Sequence, residues 1–274
     1  MRRYLTYDTL IISILCITLD MFAGAFPMEI FRFPVNILAS ILWFVATLEI
    51  YRRREGSSFS RYMLSMRATI LSIALLATIG IVLGLKSKAD GASYTIVVAL
   101  LFVLTHLALI TLRGCRNNRG IRWRFLANHL GLMIALGAAL WGAPDREALR
   151  SVVTKDRATN EAYNDEGEIK LLDFEMQLVG FDAEFYDNGR PESYEATIAI
   201  DGKEHRIRVN KPYMRTPAES IYLISYDMEQ PSDARYCIVE SVREPWRWAI
   251  AVGIGLLIVG AAMMFLQGPK TEKR

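Results

Sequence analysis

Along this chain of 274 residues, apolar and polar positions separate into long blocks: five apolar runs, one polar segment, then a sixth apolar run. The runs are Leu10–Phe26, Val35–Ile50, Ala68–Leu85, Tyr94–Leu112, Phe125–Ala143 and Trp248–Leu266, with ends that can move by a few residues. A helix needs roughly 20 mostly apolar residues to cross a hydrocarbon core of ~30 Å, so the pattern predicts an integral membrane bundle of about six helices. The polar segment falls between the fifth and sixth runs and must lie wholly on one side of the membrane. The expected organisation is a five-helix bundle over 1–143, an extracytoplasmic β-rich domain over 144–245, and a final helix with a basic tail over 246–274.

Inside the polar segment the periodicity changes. Asp145–Glu168 reads as a polar, partly helical linker along the membrane surface. From Ile169 to Tyr186, the positions Leu172, Phe174, Met176, Leu178, Phe181 and Phe185 alternate with polar ones, which predicts long strands. Asp187-Asn188-Gly189-Arg190-Pro191 is a turn signal. Tyr194–Ile200 and Arg206–Val209 flank Asp201-Gly202, the signature of a hairpin. Ile221–Tyr226 and Arg235–Val242 are further strands, separated by Gln230-Pro231-Ser232-Asp233. The expectation is a small antiparallel sheet or sandwich of about six or seven strands with little helix.

Charge orients the bundle. Arg2 and Arg3 precede the first run; Arg52, Arg53, Arg54, Arg61 and Arg67 follow the second. Arg113, Arg116, Arg119, Arg122 and Arg124 follow the fourth run, and Lys270, Lys273 and Arg274 follow the sixth. The other connections are poorer in charge, with Arg32 in one and Lys86 and Lys88 in another. By the positive-inside rule both termini and the basic loops are cytoplasmic and the polar domain is outside. The basic loops also suit anionic lipid headgroups. Arg2-Arg3, the first apolar run and Ala23-Gly24-Ala25 resemble a signal peptide, but Asp20 interrupts that run and the favoured reading retains it as a span.

The chemistry-bearing residues are few. Cys16, Cys115 and Cys237 fall in a span, a basic loop and the outer domain, so no disulfide forms within that domain and there is no CxxC. Of the three histidines, His106 and His129 lie in spans, where an ionisable residue is a functional candidate. His106 stands seven residues before Arg113 and His129 five after Arg124, which places both at similar depth, roughly 10 Å and 8 Å from the basic boundary. A neutral imidazole is the usual protein ligand of haem iron, so two such rings could share one haem; the alternative is that each is bonded within the bundle. His205 reads as an exposed strand residue, and Glu49 as an interfacial partner of Arg52 and Arg53. Asp20 is expected to cap the outer end of its span or to pair with Arg32. No P-loop, HExxH, GxSxG or dinucleotide fingerprint is present, so the chain is expected not to be an enzyme on its own.

Several segments then resemble one family. They are Gly189-Arg190-Pro191-Glu192-Ser193-Tyr194, Val209-Asn210-Lys211-Pro212, Ile221-Tyr222 with Ser225-Tyr226-Asp227, and Glu244-Pro245-Trp246 before a glycine-rich run. Asn128-His129-Leu130-Gly131-Leu132 and, more weakly, Phe31-Arg32-Phe33-Pro34-Val35-Asn36 join them. This order resembles the ResB-type proteins of the System II cytochrome c maturation pathway, over roughly residues 125–265. The resemblance implies an assembly factor of the bacterial inner membrane, working with a ResC- or CcsA-type membrane partner to carry haem b across and present it to apocytochrome c. It implies that His129 ligates haem iron jointly with the partner. It also implies that the outer domain, with Asn210, Pro212, Tyr222, Tyr226 and Asp227, meets the partner or apocytochrome. Glu244 and Leu223 depart from the family's usual Asp and Gln, the outer domain is short, and six spans exceed the four of many members. His106 has no counterpart there. The competing reading is an envelope scaffold or sensor whose β domain binds a protein or peptide without haem. A solute transporter finds no inverted repeat or symmetric broken helices to support it.

Overall fold

The computed structural model describes residues 14, 18, 20–22, 26–85, 93–118, 120–187, 191–230 and 234–267. The chain divides into two compact units, Met1–Pro144 with Ala249–Arg274, and Asp145–Trp248. The first unit is built from the helices α1 (Val35–Arg52), α2 (Ser58–Met63), α3 (Met66–Leu85), α4 (Tyr94–Gly114) and α5 (Trp123–Gly142), with α6 (Arg247–Gln267) returning after the inserted unit. A two-stranded hairpin, β1 (Arg116–Asn117) and β2 (Gly120–Ile121), joins α4 to α5. Among the described residues, α1, α4, α5 and α6 are long and apolar enough to cross a membrane, and α3 carries a shorter apolar stretch, Met66–Ile81. The expected first span, Leu10–Phe26, lies largely outside the described residues.

Lipid tails are as apolar as leucine, so these helices associate through close packing and polar contacts rather than through burial of oily surface. Both devices are present. A Cβ added to Gly253 of α6 would lie 2.6 Å from the Ala135 nitrogen and 2.7 Å from the Gly131 oxygen of α5. One added to Gly260 would lie 2.6 Å from the Asn128 side chain. The two helices therefore touch backbone to backbone, which only glycine permits there. Elsewhere Trp43 of α1 donates its Nε1–H to Thr105 Oγ1 of α4 (2.9 Å), and buried Asn36 of α1 donates to the Trp141 carbonyl of α5 (2.9 Å). The Asp20 carboxylate accepts from the Tyr94 backbone N–H (2.6 Å) and the Thr95 hydroxyl (2.6 Å). It caps the start of α4 across the bundle, rather than capping its own span or pairing with Arg32.

The second unit is all-β. Its strands are β3 (Glu147–Thr154), β4 (Thr159–Tyr163), β5 (Ile169–Phe185), β6 (Pro191–Ile200), β7 (Lys203–Arg208), β8 (Tyr213–Thr216), β9 (Glu219–Tyr226) and β10 (Tyr236–Arg243). They make one antiparallel sheet in the order β7-β6-β5-β4-β3-β10-β9-β8. Strands from both ends of that order share a single core, with Ile207 of β7 packed in the same cluster as Ile198, Met176, Val153, Val239 and Ile221. The sheet is thus curled around one core rather than split into two facing sheets. The expected Asp201-Gly202 hairpin is present, with φ of 48° and 76° at those residues. The turn at 187–191 and the connection at 230–233 fall largely on residues outside those described.

One expectation is corrected. Asp145–Glu168 holds β3 and β4 rather than a polar, partly helical linker. Leu149, Ser151 and Val153 do alternate inward, but the serine and the flanking charges hide the pattern, and what fixes the strand is its partner. All eight residues of β3 pair with β10, a contact of long sequence separation that no local pattern reports.

Close helix packing makes a matched pair of substitutions informative. Gly253→Ala should lower the thermal midpoint of the detergent-solubilised chain by roughly 5 °C or more, since overpacking costs about 1–3 kcal/mol. Gly255→Ala, on the same helix with nothing within 4 Å of the added Cβ, should leave the midpoint unchanged or slightly raised.

Candidate haem-ligand helix and outer sheet

His106 sits in α4 at 5% exposure, with Nδ1 2.7 Å from the Met63 carbonyl at the end of α2. His129 sits half-buried in α5, with Nδ1 3.0 Å from the Phe125 carbonyl one turn earlier. A carbonyl only accepts, so each Nδ1 carries the proton and each Nε2 keeps its lone pair. That is the tautomer a metal-binding imidazole needs, and a backbone carbonyl is a usual partner for its other nitrogen.

The two rings differ in surroundings. The imidazole of His129 stacks on Phe125 at 3.8 Å between centroids and 22° between planes. The Arg122 guanidinium lies 4.8 Å from the centre of the same phenyl ring and donates to the Gly114 carbonyl (3.3 Å). The Phe125 ring fills the space that a side chain at Gly114 would take. His106, by contrast, is closed in and tied to α2. Among the described residues no hydrogen bond or ring contact joins the two imidazoles, and no group of three or more His, Cys, Asp or Glu could hold a metal ion. Each ring thus offers a single nitrogen donor, and one such donor is what an axial position of a haem iron takes; His129 is the less buried of the two. Phe125 and Arg122 were legible only as neighbours of His129 at i−4 and i−7, which share its helix face.

The expected outer-domain residues divide. Asn210 is exposed, at φ 59° in the turn between β7 and β8, and Pro212 and Tyr222 are half-buried. Tyr226 is 7% exposed and packs at 4.9 Å on both Phe181 and Tyr194. Asp227 is 1% exposed: its carboxylate accepts from the Glu229 backbone N–H (3.2 Å) and from Arg235 Nε (3.2 Å). Burial opposes its charge, yet the Arg235 guanidinium and the backbone donors hold the carboxyl below its ordinary range. These two residues hold the β9–β10 connection and the core, whereas Asn210, Pro212 and Tyr222 keep some surface open. His205 is half-buried, with its ring stacked 3.9 Å from that of Tyr213. Glu49 pairs with Arg53 at 2.6 Å, as its position near the basic loop suggests.

The sequence pattern concealed a polar cluster in the outer sheet. Arg215 lies 4.2 Å over the Phe174 ring, donates Nε to Glu219 (2.7 Å), and grips both Asp173 oxygens (2.6 and 2.9 Å). The Ser241 hydroxyl donates to the other Glu219 oxygen at 2.7 Å. Although burial works against it, these carboxylates hold the Arg215 guanidinium more firmly protonated, and Arg215 in turn holds Asp173 below the usual carboxylate range. This cluster edges a cavity of about 400 Å³ that Leu149, Leu172 and Arg243 also line.

A set of apolar helices long enough to cross a membrane, interrupted by one curled antiparallel sheet, defines a membrane protein with an inserted β unit. Its central segment, residues 116–244, matches the model of the ResB-like family. Among solved structures, a cytochrome c haem lyase, CcmF, aligns over 90% of this chain at 14% identity and a TM-score of 0.41. The chain spans 42% of the length of that protein, and a likeness so loose carries no argument about activity. No curated protein matches the chain.

Cysteine chemistry gives a check on this description. Cys237 is fully buried in the sheet core and its thiol is pushed up to about 12 by that burial, whereas Cys115 is partly exposed. At pH 8 a maleimide should modify Cys115 and spare Cys237 until the outer unit is unfolded, as read by peptide mapping.

Proposed function

We propose that this chain is a membrane component of cytochrome c biogenesis that handles haem together with a ResC- or CcsA-type partner and presents it to apocytochrome c. The observation that carries the reading is His129. It lies within the ResB-like segment and holds its Nδ1–H on the Phe125 carbonyl, which leaves Nε2 free to ligate iron. Haem b is cargo in this scheme, held transiently and shared with the partner, whose side chain completes the coordination. The chain is not catalytic alone. Thioether formation needs the CxxCH thiols of the apocytochrome and the partner's own groups.

The basic loops set the orientation: termini and Arg-rich connections on the cytoplasmic side of the bacterial inner membrane, outer sheet on the other. His129 then lies toward the cytoplasmic half, the side from which haem made in the cytoplasm enters. Asn210, Pro212 and Tyr222 are the exposed and half-exposed parts of the outer sheet that would meet apocytochrome or partner.

The cavity beside Arg215 supports a second reading, an envelope scaffold that binds a protein or peptide with no haem involved. The two separate in one experiment. Purified in detergent with a co-expressed ResC-type partner, the wild-type chain should show a Soret band and sharp reduced α and β bands, and His129→Ala should lose them. His106→Ala should keep them, since that ring is closed in. A featureless spectrum from an intact wild-type complex would remove the haem reading and leave the scaffold.

A further inference from the structure

From Ser93 to Pro144 the sequence contains no aspartate or glutamate, yet it holds five arginines, at 113, 116, 119, 122 and 124. Arg122 is exposed, and among the described residues no carboxylate pairs with it. Among the described residues its side chain makes one hydrogen bond, from Nη1 to the Gly114 carbonyl, which leaves the Nε–H and the other terminal N–H groups to spare. What distinguishes Arg122 from the other arginines is its placement against the phenyl ring on which His129 stacks. The two centroid distances, 4.8 and 3.8 Å, keep its guanidinium within about 9 Å of the imidazole. An uncompensated guanidinium beside a neutral imidazole with a free lone pair matches a metal chelate that carries carboxylates at its periphery. The imidazole meets the metal, and the planar fork takes a carboxylate through charge-assisted hydrogen bonds. Phe125, in contact with both, ties the two side chains to one end of the helix.

We infer that Arg122 holds a carboxylate of the tetrapyrrole bound at His129, so that this helix end selects a porphyrin dicarboxylate rather than any iron porphyrin. The inference rests on the haem reading of His129 and adds a selectivity to it. Lipid phosphate is the rival counter-ion for Arg122, and the test must be able to expose it.

The test titrates the full chain, co-purified with its ResC-type partner and freed of haem, in an uncharged detergent with ferric protoporphyrin IX and with its dimethyl ester, which keeps the iron and ring but lacks free carboxylates. Binding is followed at the Soret band for wild type, Arg122→Ala, Arg122→Lys, Arg116→Ala and His129→Ala. The wild type should prefer the diacid by about tenfold, the size of one charge-assisted contact. Arg122→Ala should lose that preference through weaker diacid binding while still binding the diester normally, which also shows that the variant is folded. Arg122→Lys should keep part of the preference, and Arg116→Ala all of it. Equal affinity of the wild type for both porphyrins, or equal weakening of both by Arg122→Ala, would overturn the inference and leave the haem reading standing. So would a diacid preference abolished by adding phosphatidylglycerol, which would assign Arg122 to lipid. If neither porphyrin binds the wild type, or if His129→Ala changes nothing, the haem reading itself fails and takes the inference with it.

Discussion

The pairing of β3 with β10 is the contact on which the β unit depends. It joins the first strand of the inserted segment to the last, residue for residue from Glu147–Arg243 to Thr154–Tyr236. A segment inserted between two helices must bring its ends back together, and closing so long a loop costs entropy that only an extensive ladder can offset. Once that ladder forms, β4 to β7 and β8 to β9 add as neighbours on either side, each by a short antiparallel connection. The curl then lets β7 and β9 share one core, so no separate second sheet is needed to bury Ile207, Ile221 and Val239.

At one end of this curled sheet the charged cluster completes the packing. Glu219 is nearly buried, and a buried carboxylate is tolerable only when its oxygens are bonded, here by Arg215 and Ser241. Arg215 is itself held over Phe174, so apolar and ionic contacts fix the same side chain. The outer ion pair to Asp173 is open to water and adds little stability; its effect is to set where the guanidinium points.

Much of this was legible in the sequence, and the gaps have physical causes. The apolar runs marked the long helices because a bilayer imposes a length, and Asp201-Gly202 marked a turn because its backbone needs positive φ. The strands at 147–163 were hidden since their stability comes from distant partners, and Ser151 masks the inward alternation. Tyr226 and Asp227 stood out as a motif, but a motif does not say whether a residue faces a partner or the core; both proved to hold the fold. The Arg215 cluster could not be read in advance, because Asp173, Arg215, Glu219 and Ser241 are brought together only by the sheet. Conversely, Asp20 showed that something in the bundle needed a carboxylate, and the unbonded N–H groups at the start of α4 supply the reason.

The same accounting explains why one imidazole in this chain is open and another is not. In an apolar bundle every polar group must find a partner, and His106 finds its partner on α2, across the helices, where the ring is enclosed. His129 satisfies its Nδ1 on its own helix and is only half-buried. Its ring braces Phe125, which in turn packs against Gly114 of α4. The close glycine packing of α5 on α6 fixes that helix through Asn128 and Gly131 on either side of His129 in sequence, without enlisting the imidazole. The residue is held in orientation while its Nε2 keeps a lone pair, which is the condition the proposed ligand role needs.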